Sequence, residues 1–348
     1  MKLKRAVGLT LATLGSILLV LAPVWRWWIG PSLVKLPLNL ESVSVFDGSA
    51  KVFVNRKTLS FYPPGREEVI PLRITATEKS VPQKSGSKYL YVEEKVEVID
   101  ASTDELIQGA PAENIYLFDR RTSENVPGVV KGVDREGYSL KFPIGAEKKD
   151  YRVWDDDIGK TVEARYRSEK KVDGERYRGV TAYVYEVGGS TDRMVRPPPG
   201  LPSTITGGAI KQMLGDTSLP LTDETRVTIP YFKKTEAVQV VEPRTGIIVD
   251  TPSYSYEYYV NAAVAAPPNY IRLARVEYSA AKDRIPETVD GAAKWLWPID
   301  LNLTWFPLIC LITGAVLLAI GSLLYLSGRR TEEGPVGKVG TSPGEESS

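Results

Sequence analysis

The stretches AVGLTLATLGSILLVLAPV (residues 6–24) and WFPLICLITGAVLLAIGSLLYL (residues 305–326) contain no charged residue and bracket nearly everything else in the 348-residue chain. With 19 and 22 residues and a rise of about 1.5 Å per residue, each makes a helix long enough to cross a hydrocarbon layer about 30 Å thick. A buried helix of a soluble domain is the competing reading of the second run. It fares poorly, because the nearest flanking charges are Asp300 and Arg329. The first run, preceded by Lys2, Lys4 and Arg5, competes with a cleaved secretory signal. Its far end, Pro23-Val24-Trp25-Arg26-Trp27-Trp28, is too bulky for signal peptidase and has the composition of an interfacial aromatic belt. The sequence therefore predicts an uncleaved signal-anchor.

The second run repeats the belt in mirror order, with Trp295, Trp297 and Trp305 before it and Arg329-Arg330 after it. Trp25, Trp27, Trp28, Trp295, Trp297 and Trp305 are the expected membrane-interface residues. Basic residues at both outer flanks place both termini in the cytoplasm by the positive-inside bias, which puts the intervening segment outside the plasma membrane. The predicted organisation is a cytoplasmic start at 1–5, a transmembrane signal-anchor with its belt at 6–28 and an extracytoplasmic domain at 30–300. A second transmembrane helix at 301–328 and a disordered cytoplasmic tail at 329–348 complete it.

Composition narrows the chemistry. There are 44 Lys and Arg against 43 Asp and Glu, so no basic excess marks a nucleic-acid partner. The lone cysteine, Cys310, falls inside the second apolar run, which leaves the outer domain to be stabilised by burial without a disulfide. The chain has no histidine, and that removes Ser-His-Asp and Cys-His catalysis as well as the commonest zinc ligand. No cofactor, metal site or catalytic residue is expected. Carboxylate pairs such as Asp155 with Glu163 exist in any chain this charged, and no spacing favours a glycosidase.

The outer segment reads as antiparallel strands rich in Tyr, Val and Thr, notably Tyr89 to Ile99, Thr161 to Tyr166, Thr181 to Val187, Arg226 to Phe232 and Tyr254 to Val260. The fold class expected is a β-rich (α+β) antiparallel ectodomain between two transmembrane helices. Four times a strand runs into an acid at a tight turn: Asp100, Asp119, Asp155 and Glu242. The acid accepts backbone N–H groups two residues on. Calcium at Asp155 to Asp157 is the alternative, but the spaced oxygen ligands of a calcium loop are missing. A Pro-rich helical insert at 188–221 breaks the strand pattern. There Ser203 to Leu214 is expected to form a short helix with Ile205, Ile210, Met213 and Leu214 on one side, as candidate lipid contacts. It covers the sheet, touches a partner or is a plain surface loop. A second helix is expected from Glu287 to Trp297.

The residues Leu140-Lys141-Phe142-Pro143, Asp150-Tyr151-Arg152-Val153-Trp154-Asp155, Tyr183-Val184-Tyr185 and Val241-Glu242-Pro243-Arg244-Thr245-Gly246 resemble the actinobacterial two-anchor envelope family labelled porin PorA. That family has among its members the polar growth factor PgfA and the lipomannan-maturation protein LmcA. The resemblance implies a non-enzymatic role in cell-envelope lipid or lipoglycan assembly, with an envelope lipid or lipid-linked glycan as ligand; a membrane scaffold or adaptor that contacts other membrane proteins and holds no ligand is the alternative.

The topology has a direct check. In a Cys310→Ala background, cysteine at Ser168 should label with a membrane-impermeant maleimide in intact cells, and cysteine at Ser342 only after permeabilisation. Labelling at Ser342 in intact cells would contradict it.

Overall fold

The computed structural model describes residues 2–53, 62, 65–107, 112–131, 133–198, 201–214, 222–261 and 270–330. In chain order these form helices α1 (Lys2–Val24) and α2 (Gly30–Leu33), then strands β1 (Glu41–Val52), β2 (Glu68–Ser80), β3 (Tyr89–Asp100), β4 (Ala112–Asp119), β5 (Tyr151–Asp155), β6 (Lys160–Val172) and β7 (Val180–Arg193). After these come β8 (Thr204–Thr206), α3 (Gly207–Leu214), β9 (Arg226–Thr228), β10 (Tyr231–Glu242), β11 (Ile247–Asn261), β12 (Tyr270–Ala280), α4 (Ile285–Asp300) and α5 (Phe306–Arg330). The chain divides into two compact units, Met1–Val34 with Trp297–Ser348, and Lys35–Leu296.

Helices α1 and α5 build the first unit. Two helical stretches, Leu3–Leu33 and Ile285–Ser327, are long and apolar enough to cross a membrane, which supports a membrane protein. Their own hydroxyls are satisfied locally: Thr10, Thr13 and Ser16 each donate to the carbonyl four residues back, which an apolar solvent requires. The pair packs through glycines spaced by seven residues on both helices. A Cβ on Gly8 would stand 2.8 Å from the Gly321 carbonyl oxygen, and one on Gly15 would stand 2.6 Å from that of Gly314. Only glycine permits so close a backbone approach, and in lipid such packing stands in for the hydrophobic effect.

Each helix also carries one π-helical turn, Trp25–Ile29 and Leu301–Trp305. Each is followed after one residue by a proline, Pro31 and Pro307. A proline ring clashes with the carbonyl four residues back, and the wider turn relieves that clash. At this level Trp25 Nε1 donates to the Asn302 carbonyl at 3.1 Å, and the Trp25 and Phe306 rings lie 4.1 Å apart. Trp25 therefore serves the helix pair, whereas Trp27, Trp28, Trp295, Trp297 and Trp305 are exposed.

The second unit is a ten-stranded sheet in the order β4-β3-β2-β1-β12-β11-β10-β7-β6-β5, antiparallel throughout. Its edges are β4 and β5, and the sheet curls until they approach. The Tyr116 hydroxyl on β4 lies 3.2 Å from Asp156 Oδ2, in the turn after β5. The expected strands are present, most of them longer than predicted. Tyr89 to Ile99 is buried on both faces at its start, where Leu90, Tyr91 and Val92 are all covered, and alternates beyond.

All four acid turns share one geometry. Backbone N–H groups two or three residues on donate to the acid side chains of Asp100, Asp119, Asp155 and Glu242, and the N–H four residues on donates to the acid's own carbonyl at 2.9 Å each time. That fourth residue has positive φ: Asp104, Ser123, Gly159 and Gly246.

Three expectations need correcting. The insert begins later than residue 188, because β7 runs to Arg193. The helix predicted from Ser203 starts at Gly207, since Thr204–Thr206 pairs with Arg226–Thr228 as a two-stranded ribbon. Ile205 thus lies on a strand. Arg226 to Phe232, read as one strand, is divided between β9 and β10.

The helix pairing generates a measurement. With spin labels at Thr10 and Ser322, the wild-type distance distribution should be narrow. Gly15→Leu with Gly314→Leu should broaden and lengthen it, because a side chain of that size cannot fit where a Cβ already meets backbone. An unchanged distribution would show that the glycine contact is dispensable.

Candidate functional site

The connection between β4 and β5, residues 120–150, joins the two edges of the sheet. Its first part covers the outer face, where Val126, Val130 and Val133 pack with Tyr91 and Leu117. Its second part enters the curl. Leu140 and Ile144 pack on Leu90, Val92, Tyr116 and Phe118 near one edge, while Phe142 packs into Tyr151, Val153, Ala164 and Tyr185 near the other. This strap is fixed by the turn at Glu242. Phe142 N donates to the Gly246 carbonyl at 2.8 Å and Ala146 N to that of Pro243 at 2.6 Å. Any side chain at Gly246 would stand 2.1 Å from the Phe142 carbonyl oxygen. The segments that carried the family resemblance therefore form one structure, the strap and the wall it docks on.

Side chains alternate across a strand, so the register defines the inner wall. Tyr254 pairs with Tyr278, Tyr278 with Gly48, Phe46 with Ile74, Ile74 with Val98, and Ala76 with Val96. Tyr254 and Tyr278 stack with ring centroids 4.6 Å apart, and Phe46 meets Tyr278 edge-on at 5.4 Å. Gly48 leaves room for that ring, since a Cβ there would be 2.5 Å from the Tyr278 Cβ. Burial pushes the Tyr254 and Tyr278 hydroxyls well above their ordinary range, and that of Tyr256 to about 12. Yet Phe46, Val96, Val98, Tyr254, Tyr256 and Tyr278 are only half-buried. These side chains share the inner face of the curled sheet and keep part of their surface uncovered.

One end of this wall is polar. Ser42 pairs with Glu78, Glu78 with Glu94, and Glu94 with Asn114. Burial, with Glu94 nearby, pushes the Glu78 carboxyl up to about 8. Burial pulls Lys141 on the strap down to about 8 against the opposing attraction of Glu78. Glu94 is also raised by burial, and it accepts from Asn114 Nδ2 and the Tyr116 hydroxyl, both at 3.0 Å. That hydroxyl's one proton is shared between Glu94 and Asp156. Arg135 completes the junction, donating to Asp156 at 2.6 Å with its guanidinium 4.2 Å over the Tyr116 ring.

A second polar cluster is fully paired. Lys233 reaches Asp155 at 3.1 Å and Asp157 at 2.7 Å, and Thr235 donates to Asp155 at 3.0 Å. Burial opposes the ammonium charge, and the two carboxylates outweigh it, so the pKa of Lys233 is raised. Removing Lys233 would leave the buried Asp155 without its cation, at a cost of about 3 kcal/mol or more, while the exposed Asp157 can turn to water. Asp155 thus takes a lysine where calcium was weighed. Glu163 is exposed on the outer face, paired with Arg165, away from the buried Asp155. Among the described residues no acidic, cysteine or histidine group is arranged to hold a metal ion.

The candidate lipid contacts are only partly visible. Ile210 is half-buried on α3, and the side chains of Ile205, Met213 and Leu214 lie outside the described residues. The insert hangs from the end of the sheet opposite to that where the chain enters at Lys35. Sequence reasoning missed Phe46, Glu78 and the inward role of Lys141; the only signal was that Lys141 sits within a stretch that resembled the family.

These features define a β-rich domain, a curled antiparallel sheet carried between two apolar helices. The chain matches the family model described as Porin PorA over residues 7–323, and it belongs to that family. No curated protein matches it. The outer face of the sheet is studded with exposed ion pairs such as Arg73 with Asp47, Lys95 with Glu97 and Arg275 with Glu277. A transmembrane barrel needs an apolar band there, so the sheet itself is not a pore wall in lipid.

The raised carboxyl has a sign that can be measured. Glu78 holds its proton more tightly in the folded chain than at its ordinary value of 4.5, so stability is lost as pH rises from about 4.5 through about 8. Lys141 contributes the opposite trend only above about 8. Glu78→Gln should therefore raise Tm at pH 8 by about 3 °C or more, with the gap closing at pH 5. A gap independent of pH would show that the carboxyl is not desolvated.

Proposed function

We propose that this protein is a non-enzymatic cell-envelope factor whose outer domain binds or presents an envelope lipid or lipid-linked glycan. The observation that carries the proposal is the half-buried aromatic wall inside the curled sheet. Apolar side chains left uncovered inside a fold cost roughly 1.5 to 3 kcal/mol each relative to full burial. An occupant with an acyl chain recovers that energy, and small-molecule sites are usually concave, mostly apolar and equipped with a few polar groups. Both termini lie in the cytoplasm on this reading, with the domain outside. The residues lining the wall are contacts, and no reaction is assigned to them.

The test compares lipid co-purifying with the full chain, per mole of protein, for wild type, Ser44→Trp and Ser255→Trp. Ser44 faces the inner wall beside Ala76, and Ser255 the outer face opposite Glu236. Ser44→Trp should fill the space and lower lipid at least fivefold, while Ser255→Trp leaves it unchanged and circular dichroism shows both folded. If wild type carries no lipid above a detergent-washed control, the lipid reading fails and the scaffold becomes the better account. Equal lipid in all three would move the site elsewhere, and Ile210→Glu with Leu214→Glu then asks whether the insert holds it.

A further inference from the structure

The strands of the ten-stranded sheet run between two ends. At one of them the chain enters β1 and leaves β12 for α4; the segments there are residues 35–40, 81–88, 120–124, 173–179, 243–246 and 281–284. Together they hold ten Lys and Arg against four Asp and Glu. The connections at the opposite end, 53–67, 101–111, 156–159, 194–230 and 262–269, hold six against eight. The whole chain has a formal net charge of +1, so the entry end is basic by segregation of charge and not by an overall excess.

The basic groups at the entry end are only partly neutralised. Lys84 and Arg284 pair with Glu93 and Glu287. Among the described residues Lys88, Arg121, Arg176, Arg178 and Lys282 are exposed and make no ion pair. Both links between the sheet and the apolar helices are also docked at this end. Leu36 N donates to the Arg120 carbonyl at 2.7 Å, and Arg120 Nε returns a bond to the Leu36 carbonyl at 2.8 Å. On the leaving side, Val289, Ala292 and Ala293 of α4 pack on Val172, Val180 and Val249. Asp290 accepts from the backbone N–H groups of Arg176 and Tyr177, at 3.0 and 3.1 Å. The turn that presents Arg176 and Arg178 is thereby fixed to α4, and the exposed Trp295 stands only about 8 Å further along that helix.

An anionic membrane surface attracts Lys and Arg within a Debye length, about 8 Å at physiological salt. An acidic protein would suit the same charges, but only a membrane accounts for their gathering at the end that carries both links to the spanning helices. We infer that the entry end of the sheet rests on anionic phospholipid head groups of the membrane its helices span, through Lys88, Arg121, Arg176, Arg178 and Lys282. The contact holds the sheet at a fixed tilt to the membrane. It goes beyond the lipid-binding reading and does not depend on it.

The test uses the full chain with Cys310→Ala in nanodiscs of phosphatidylcholine, with or without phosphatidylglycerol, each containing a lipid with a quencher on its head group. A fluorophore is attached at Ser87→Cys or, at the opposite end, at Ala101→Cys. Quenching at position 87 should be at least threefold stronger with phosphatidylglycerol and fall back as salt is raised. Lys88→Glu with Arg121→Glu should abolish that difference, whereas Arg66→Glu with Arg226→Glu, the same reversal at the opposite end, should leave it intact. Position 101 should stay unquenched throughout. Circular dichroism reports folding, and Arg176→Gln with Arg178→Gln, which should at least halve the difference, replaces the first reversal if that variant does not fold. Equal quenching at position 87 in both membranes, a difference that survives loss of the entry-end charges, or stronger quenching at position 101 would overturn the inference. An acidic polypeptide that binds the wild type while phosphatidylglycerol has no effect would overturn it in favour of a protein partner.

Discussion

The fold depends on bringing the two edges of one sheet together. Ten antiparallel strands leave one side of β4 and one side of β5 without a partner strand, and an exposed edge is a standing risk of aggregation; here the connection between them bonds to both, Val126 N to the Leu117 carbonyl at 2.8 Å and Trp154 N to the Tyr138 carbonyl at 2.6 Å. This chain resolves the problem without closing a barrel. Tyr116 and Asp156 meet across the gap, Arg135 lies over the ring of the one and donates to the carboxylate of the other, and the strap packs aromatic and aliphatic groups against both sides. The closure uses short backbone bridges from the connecting segment together with side chains, where a barrel would use a continuous ladder between β4 and β5, and the inner face is covered near the edges and partly uncovered in the middle. That is the physical origin of the half-buried wall formed by Phe46, Tyr254 and Tyr278.

What the sequence made legible was local. The two apolar helices follow from uncharged length, and the strands from alternation. The acid turns follow from chemistry that spans five residues, which is why all four appear as expected. What it concealed was pairing at a distance. Tyr116 and Asp156 are 40 residues apart, and no periodicity connects them. Glu78 lies on a strand with ordinary alternation, and nothing local marks its carboxyl as desolvated or places it near Lys141. The glycines at 8, 15, 314 and 321 show equal spacing in each run, yet only the structure shows that they face one another. The early start predicted for α3 failed for a related reason: Thr204–Thr206 found a strand partner in Arg226–Thr228, and tertiary pairing overrode local pattern.

The two inward-facing lysines, Lys233 and Lys141, differ in burial and in partners. Lys233, with Asp155, Asp157 and Thr235, is a closed set of donors and acceptors that ties β10 to the turn after β5; it needs nothing from outside. Glu78 and Lys141 keep more of their surface uncovered than Lys233 does; Glu78 accepts from the Ser42 hydroxyl at 3.5 Å and is the charged neighbour of Lys141.

The central claim is that the inner wall of the curled sheet, and not its outer face, meets the envelope ligand. Photocrosslinking from a benzophenone side chain placed in living cells at Phe46, and at the outer-face Val43 for comparison, addresses it most directly. The account predicts that Phe46 yields lipid adducts, seen by mass spectrometry as acyl-bearing additions to its peptide, and that Val43 yields none. Lipid adducts at Val43 with none at Phe46 would contradict it.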